Sequence, residues 1–144
     1  MDIYQTIDLI KTKLEEGNKD SGDLLYGINV LTNPYADLAK SVPLILLEAE
    51  NTEFINSAQG IIVNQQHLIT ISCIVSAQNT AFDYSKSNVN ILARNTIKKL
   101  NSITDYKIQK IISVEQAHSE IMISSLKSTA VIISIKAQTY WEDE

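Results

Sequence analysis

The sequence has 144 residues and a mass of 16.1 kDa, which is a common size for one domain and too short for two full ones. Hydrophobic residues make up 44% and charged residues 20%, which excludes the polar, highly charged class that stays disordered. Seventeen acidic against twelve basic residues give a net charge of -5, which does not favour a phosphate backbone as partner. We therefore expect a single folded domain over residues 1–144 with no sequence-specific nucleic-acid partner.

The compartment is indicated by what the sequence lacks. An acid stands at position 2 where a secretory signal would carry basic residues, and no apolar segment follows it. The longest apolar stretches, residues 69–77 and 130–137, are about half the ~20 residues that span a bilayer. A single cysteine, Cys73, excludes an internal disulfide and fits a reducing compartment. These features predict a protein that stays in the cytosol of the producing cell, without a membrane partner.

The first periodic segment predicts a helix over about residues 3–16. Its apolar residues recur every three or four positions, as on one face of an amphipathic helix: Ile3, Ile7, Ile10 and Leu14. Asp2 and Gln5 have the spacing of a capping box, and Gly17 supplies a left-handed stop. The pattern weakens over residues 18–42, where residues 24–31 are apolar enough for a short strand or a docked loop.

Two strands are predicted in the middle of the chain. Residues 44–50 form an apolar run that follows Pro43 and ends in alternation, and residues 67–78 alternate clearly with a period of two. Between them, residues 51–66 are predicted to be a long connection with apolar residues at its tip.

The last third predicts a helix and two further strands. The helix covers about residues 86–101, and the strands cover about 106–115 and 129–141, with a connection over 115–128. Strands joined without a helix between them favour antiparallel pairing. The predicted fold class is therefore α+β, with a mainly antiparallel sheet of about four strands and two principal helices packed on one face.

Residues that could carry chemistry are few and scattered. The metal-ligand types His67, Cys73 and His118 are far apart in sequence, and burial of Cys73 on an apolar strand should raise its pKa. Four glycines, at 17, 22, 27 and 60, build neither a nucleophile elbow nor a phosphate loop. Glu48 and Glu50 fit an acid and base pair or, more simply, a solvated strand face. We expect no enzyme activity and no catalytic, metal or cofactor site.

Hydrophobic residues in the long connection raise a different possibility. Phe54, Ile55, Ile61 and Ile62 must either fold back onto the domain or meet a partner. Near the end of the chain, Tyr140 and Trp141 are predicted to point to opposite faces of the last strand, so at most one of them enters the core.

The order of elements resembles the tail terminator and tail completion proteins of tailed bacteriophages. The resemblance lies in an N-terminal amphipathic helix, the strand from Pro43 to Glu50, the alternating strand from His67 to Gln78, the helix from Val89 to Leu100, and two strands ending in Gln138-Thr139-Tyr140-Trp141. It spans nearly the whole chain and leaves out residues 18–41. It is a match of pattern and length, without an invariant motif.

The resemblance implies a non-enzymatic virion protein that acts through assembly. Such proteins form a hexameric ring that caps the finished tail tube and offers a surface to the head connector, so the implied partners are other copies of this chain, the tail tube protein and a head-tail connector protein. The implied location is the tail end or neck of the virion, after assembly in the host cytoplasm. We expect the two connections to form the contact surfaces, and Tyr140 of the last strand to be a further candidate. The candidate residues in the connections are Phe54, Ile55, Ile61, Ile62, Ile121, Met122 and Ile123.

Two alternatives remain open from the sequence. A head-tail connector or neck protein would belong to the same biology. A dimeric α+β domain that binds a small molecule would belong to another class, and it needs a pocket with convergent polar groups.

Overall fold

A computed structural model describes residues 1–33, 38, 42–76, 82–105, 107–123 and 126–141. The described elements are two helices and five strands. In chain order they are α1 (Ile3–Glu15), β1 (Asn29–Leu31), β2 (Leu44–Asn56), β3 (Ile62–Ser76), α2 (Phe82–Asn101), β4 (Ile108–Ile123) and β5 (Leu126–Tyr140). The α+β class predicted from the sequence is confirmed.

The sheet differs from the predicted one in strand number and direction. It is a curled, mixed sheet of five strands in the order β1-β2-β3-β5-β4. The additional strand, β1, pairs in parallel with the first three residues of β2, and the other neighbours are antiparallel. The count of about four strands left out β1, although the sequence allowed a short strand or a docked loop within residues 24–31, because three residues are too few to show a period.

The two predicted connections are also wrong over most of their length. Residues 51–56 and 62–66 continue β2 and β3, and residues 115–123 and 126–128 continue β4 and β5. These extensions are largely polar, so they lack the apolar alternation by which a strand is recognised. The 51–66 segment is therefore a tight hairpin, in which Ser57 N donates to the Ile61 carbonyl over 2.7 Å and Gly60 adopts a φ of 79°.

Both helices pack on the same face of the sheet and form the main core with it. The helix α1 has the predicted capping box between Asp2 and Gln5, and Gly17 follows its end with a φ of 76°. Its buried stripe and that of α2 meet the buried positions of β2, β3 and β5. The core side chains include Ile7, Ile10, Leu14, Val89, Leu92, Ile45, Leu47, Ile69, Ile71, Cys73, Ile133 and Ile135.

The opposite face of the sheet is less covered. A small apolar cluster lies at the end where β2 begins, and it consists of Leu44, Leu46, Ile74 and Ala130 with Leu31, Leu38 and Val42 packed against it. Farther along this face the strands present polar side chains such as Glu48, Thr70 and Lys136. The helices therefore cover one face of the sheet, and the polar side chains described on the second face are partly exposed to solvent.

A partly buried ion pair joins α2 to the segment that follows α1. Lys99 Nζ lies 2.7 Å from Asp23 Oδ2 and donates to the Glu16 carbonyl over 2.8 Å. The Lys99 ammonium holds the pKa of the Asp23 carboxyl below its ordinary value. This contact positions the segment from residue 16 to residue 28 against the core.

Candidate functional site

The two histidines considered for metal binding have structural partners instead. His67 lies within β3 and is fully buried. Its Nε2 lies 3.1 Å from the Met1 carbonyl oxygen, which can only accept, so we infer that Nε2 carries the proton and that the Thr52 hydroxyl donates to Nδ1 over 2.9 Å. Burial lowers the pKa of His67 and keeps the ring neutral. His118 Nε2 lies 2.7 Å from Asn90 Oδ1 of α2.

Cys73 and Glu50, two other residues that could carry chemistry, likewise have structural hydrogen-bond partners. Cys73 is buried, its thiol lies 3.6 Å from the Thr96 hydroxyl, and burial raises its pKa to about 11, as predicted. Glu50 is an extra residue in β2 between Ala49 and Asn51, and its carboxylate accepts a 2.9 Å hydrogen bond from the Thr70 hydroxyl. These contacts favour the solvated strand face over an acid and base pair with Glu48.

Within the described part of the chain, no three His, Cys, Asp or Glu side chains converge as metal ligands. Two surface depressions are lined by described residues. One lies on the open face of the sheet among Asn51, Glu53, Gln66, Leu68 and Lys136, and the other lies between α2 and β4. Neither brings together a nucleophile, a base and an orienting group. No helix among the described residues is long and apolar enough to cross a membrane.

The most distinctive surface lies where β2 turns into β3. The layer of helices ends at Met1, whose carbonyl contacts His67, and two residues farther along the strands the same face carries Phe54 and Trp141. Their rings meet edge to face with centroids 5.7 Å apart, yet Phe54 is 54% exposed. Ile61 and Val63 at the turn are exposed too. We call Phe54, Ile61, Val63 and Trp141 the hairpin-end patch.

The candidate residues from the sequence fall at opposite ends of the sheet. Phe54, Ile55, Ile61 and Ile62 belong to the β2–β3 hairpin, and Tyr140 pairs with Asn64 beside it, on the face away from Phe54. Residues 121–123 lie in β4 at the other end, where β4 and β5 join, and their side chains are outside the described part of the structure. The structure therefore groups the four hairpin candidates with Tyr140 and separates them from residues 121–123.

Trp141 and Val63 are members of the patch that were not among the candidates. The Trp141 amide donates to the Val63 carbonyl over 3.1 Å, which continues the β3–β5 pairing past Tyr140. Neither aromatic residue at the end of β5 enters the core, since Tyr140 is 48% and Trp141 38% exposed. The alternation along β5 placed Trp141 correctly on the helix-covered face, but the sequence could not show that the helices stop short of it.

Two strand edges complete the candidate surface. The short strand β1 covers β2 only as far as Leu46, so among the described strands nothing pairs with the outer edge of β2 from Leu47 to Asn56. At the other side of the sheet, no described strand pairs with the outer edge of β4. Unpaired edges present rows of backbone donors and acceptors that can pair with another chain.

Comparison with known proteins gives no further assignment. No protein-family model matches the sequence, and no curated protein matches it significantly.

Proposed function

We propose that this chain is a structural virion protein that assembles into an oligomeric ring, caps a phage tail tube and provides the surface for head-tail joining. The observation that carries the proposal is the exposed Phe54–Trp141 pair beside the stretch of β2 that no described strand pairs with. An exposed aromatic pair next to a free strand edge is typical of a surface that another chain covers.

The arrangement of the edges supports a ring in particular. A ring repeats one heterologous contact, so every subunit needs two different and complementary surfaces. The outer edges of β2 and β4 are different in sequence and lie on opposite sides of one sheet. They also run in opposite directions, because each of the three pairings between them is antiparallel.

The buried roles of His67 and Cys73 are consistent with a protein that acts through binding. Each of these side chains has partners that its burial requires, and neither faces a pocket lined by the described residues. Among the sequence-based alternatives, a head-tail connector would use the same surfaces. A dimeric small-molecule domain would need a deep polar pocket, and no described depression has that character.

The experiment that tests this proposal replaces the patch while keeping the fold. The double variant Phe54→Ser and Ile61→Ser should remain folded, because both side chains are more than half exposed, and should lose assembly. Assembly is measured by native mass spectrometry and by electron microscopy of rings, and folding by circular dichroism. Ile91→Ser is the matched control, since Ile91 is an exposed isoleucine on α2.

The double variant and the control should differ clearly in the fraction of protein that assembles. Ile91→Ser should assemble as the parent does. If the Phe54→Ser and Ile61→Ser variant assembles equally well, the hairpin-end patch is not an assembly surface.

A further inference from the structure

The outer edges of β2 and β4, with which no described strand pairs at these levels, are matched in position and in charge. Glu53 of β2 pairs with Gln66, Gln66 pairs with Gln138, and Gln138 pairs with Lys110 of β4. Residues paired directly across a sheet lie at one level and on one face. Glu53 and Lys110 therefore stand at the same level and on the same face, at opposite edges of the sheet, and both are exposed.

We propose that the outer edge of β2 pairs with the outer edge of β4 in a second copy of this chain, so that Glu53 of one subunit meets Lys110 of the next. The proposal rests on the ring function proposed above and names the contact that closes the ring. A rotation about an axis along the strands brings β4 of the next copy beside β2 at an unchanged level. The two strands then run antiparallel, as a hydrogen-bonded extension of the sheet requires.

The neighbouring levels are compatible with this register. Phe54 stands at the level of Ile108 on the helix-covered face, through Gln65 and Thr139. In the next subunit Ile108 is buried in its own core and its amide donates to the Asp105 carbonyl over 3.1 Å, so regular pairing stops before this level. The next subunit would then stand beside the hairpin-end patch at the level of Phe54 without a paired strand there.

The bulges limit how far the pairing extends. Below the matched segment, Glu48 stands at the level of Glu115, and two carboxylates opposite each other are unfavourable. Between these levels β2 has an extra residue at Glu50 and β4 has one at position 114, and such bulges bend a strand and end regular pairing. At the other end of the matched segment β4 has an extra residue at Gln109, between Lys110 and Ile108, and the Ile108 amide donates to the Asp105 carbonyl of its own chain. The inferred contact therefore covers residues 51–53 of one copy and 110–112 of the next.

Other charges on this face do not replace the pair. Lys136 of β5 lies on the same face as Glu53, two strands away, and no ion pair joins Glu53 or Lys110 to another described residue. An exposed pair of this kind changes an association constant by about two- to five-fold per contact. A ring repeats the contact at every interface, so the effect on assembly multiplies.

A charge exchange tests the register. Glu53→Lys and Lys110→Glu should each reduce the fraction of assembled protein, because each places two like charges at the interface, and the double exchange should restore it. Lys98→Glu is the matched control, since Lys98 is an exposed cation on α2 that lies near Gln116, outside the inferred contact. Assembly is measured as the distribution of masses over a range of concentrations.

A cross-link gives a second, independent measurement. Within one chain the two positions are three strand spacings apart, about 14 Å, which is too far for a disulfide. Glu53→Cys combined with Lys110→Cys should therefore give a ladder of oxidised oligomers, and buried Cys73 should not compete. Glu53→Cys combined with Lys98→Cys should give none.

The outcomes separate this inference from the proposed function. If rings form but neither single exchange weakens them and no ladder appears, the edge contact is wrong while the ring function stands. If the parent protein forms no ring, the proposed function fails. A dimer cross-linked through β4 alone would replace the inferred contact with a symmetric one.

Discussion

At the scale of single residues, His67 is the clearest example of a structural role that could not be predicted from the sequence. Its partners Met1, Thr52 and Thr139 are separated from it by 66, 15 and 72 positions, so no local pattern announces them. These tertiary contacts satisfy both ring nitrogens, which is what allows a polar side chain to be buried at this position. Cys73 was predictable because it lies within a strand whose alternation is strong.

His67 makes stability depend on pH in a defined direction. The pKa of His67 is lower in the folded protein than in the unfolded chain. As the pH falls below about 6.5, the unfolded chain therefore binds a proton at His67 more readily than the folded protein does. The free energy of unfolding should therefore be unaffected by His67 above that pH and should decrease below it. Urea denaturation at neutral pH and at about pH 5.5 measures the effect.

The contribution of His67 can be isolated by titration. The chain has two histidines, and in the variant His118→Gln the remaining imidazole signal in nuclear magnetic resonance belongs to His67. Its midpoint should lie below the ordinary histidine value. A midpoint at or above that value would contradict the burial argument.

At the scale of elements, the sequence predicted the helices and strands in which apolar residues recur at regular spacing. Both helices, the apolar halves of β2 and β3, and β5 follow from their spacing, and the capping box places the start of α1. The strand extensions could not be predicted, because their polar residues lie beyond the cover of the helices and lack alternation. The short strand β1 depends on its neighbour β2 for its existence.

The ion pair between α2 and the segment after α1 tests how the elements are held together. Lys99→Met removes the donor to the Glu16 carbonyl and leaves the Asp23 carboxylate with only the hydrogen bond from the Leu25 amide, in a partly buried position. The variant should lose about 1–3 kcal/mol of unfolding free energy. Chemical denaturation measures the loss.

The neighbouring residue provides the control for this change. Lys98→Met removes an equal charge from an exposed position and should stay within about 0.5 kcal/mol of the parent. Equal effects of the two substitutions would mean that the Lys99–Asp23 contact contributes nothing specific.

At the scale of the whole molecule, the exposed hydrophobic residues and the strand edges that could bind a partner lie at the margins of the sheet. The helices leave the hairpin-end patch exposed, and among the described strands none pairs with the outer edge of β4 or with β2 beyond Leu46. The sequence pointed to hydrophobic residues in the 51–66 segment, but it could not show that Trp141 joins them or that two edges stand ready to pair. Those features arise from strand order, which is a property of the whole sheet.

The central claim is that the chain assembles into a closed ring, and the mass of the native assembly tests it most directly. Native mass spectrometry over a range of concentrations, with light scattering as a check, should show a species near six times 16.1 kDa, about 97 kDa. No open series of larger masses should accompany it, because a closed ring has no free contact left. A mass that stays at one or two chains at every concentration would contradict the account.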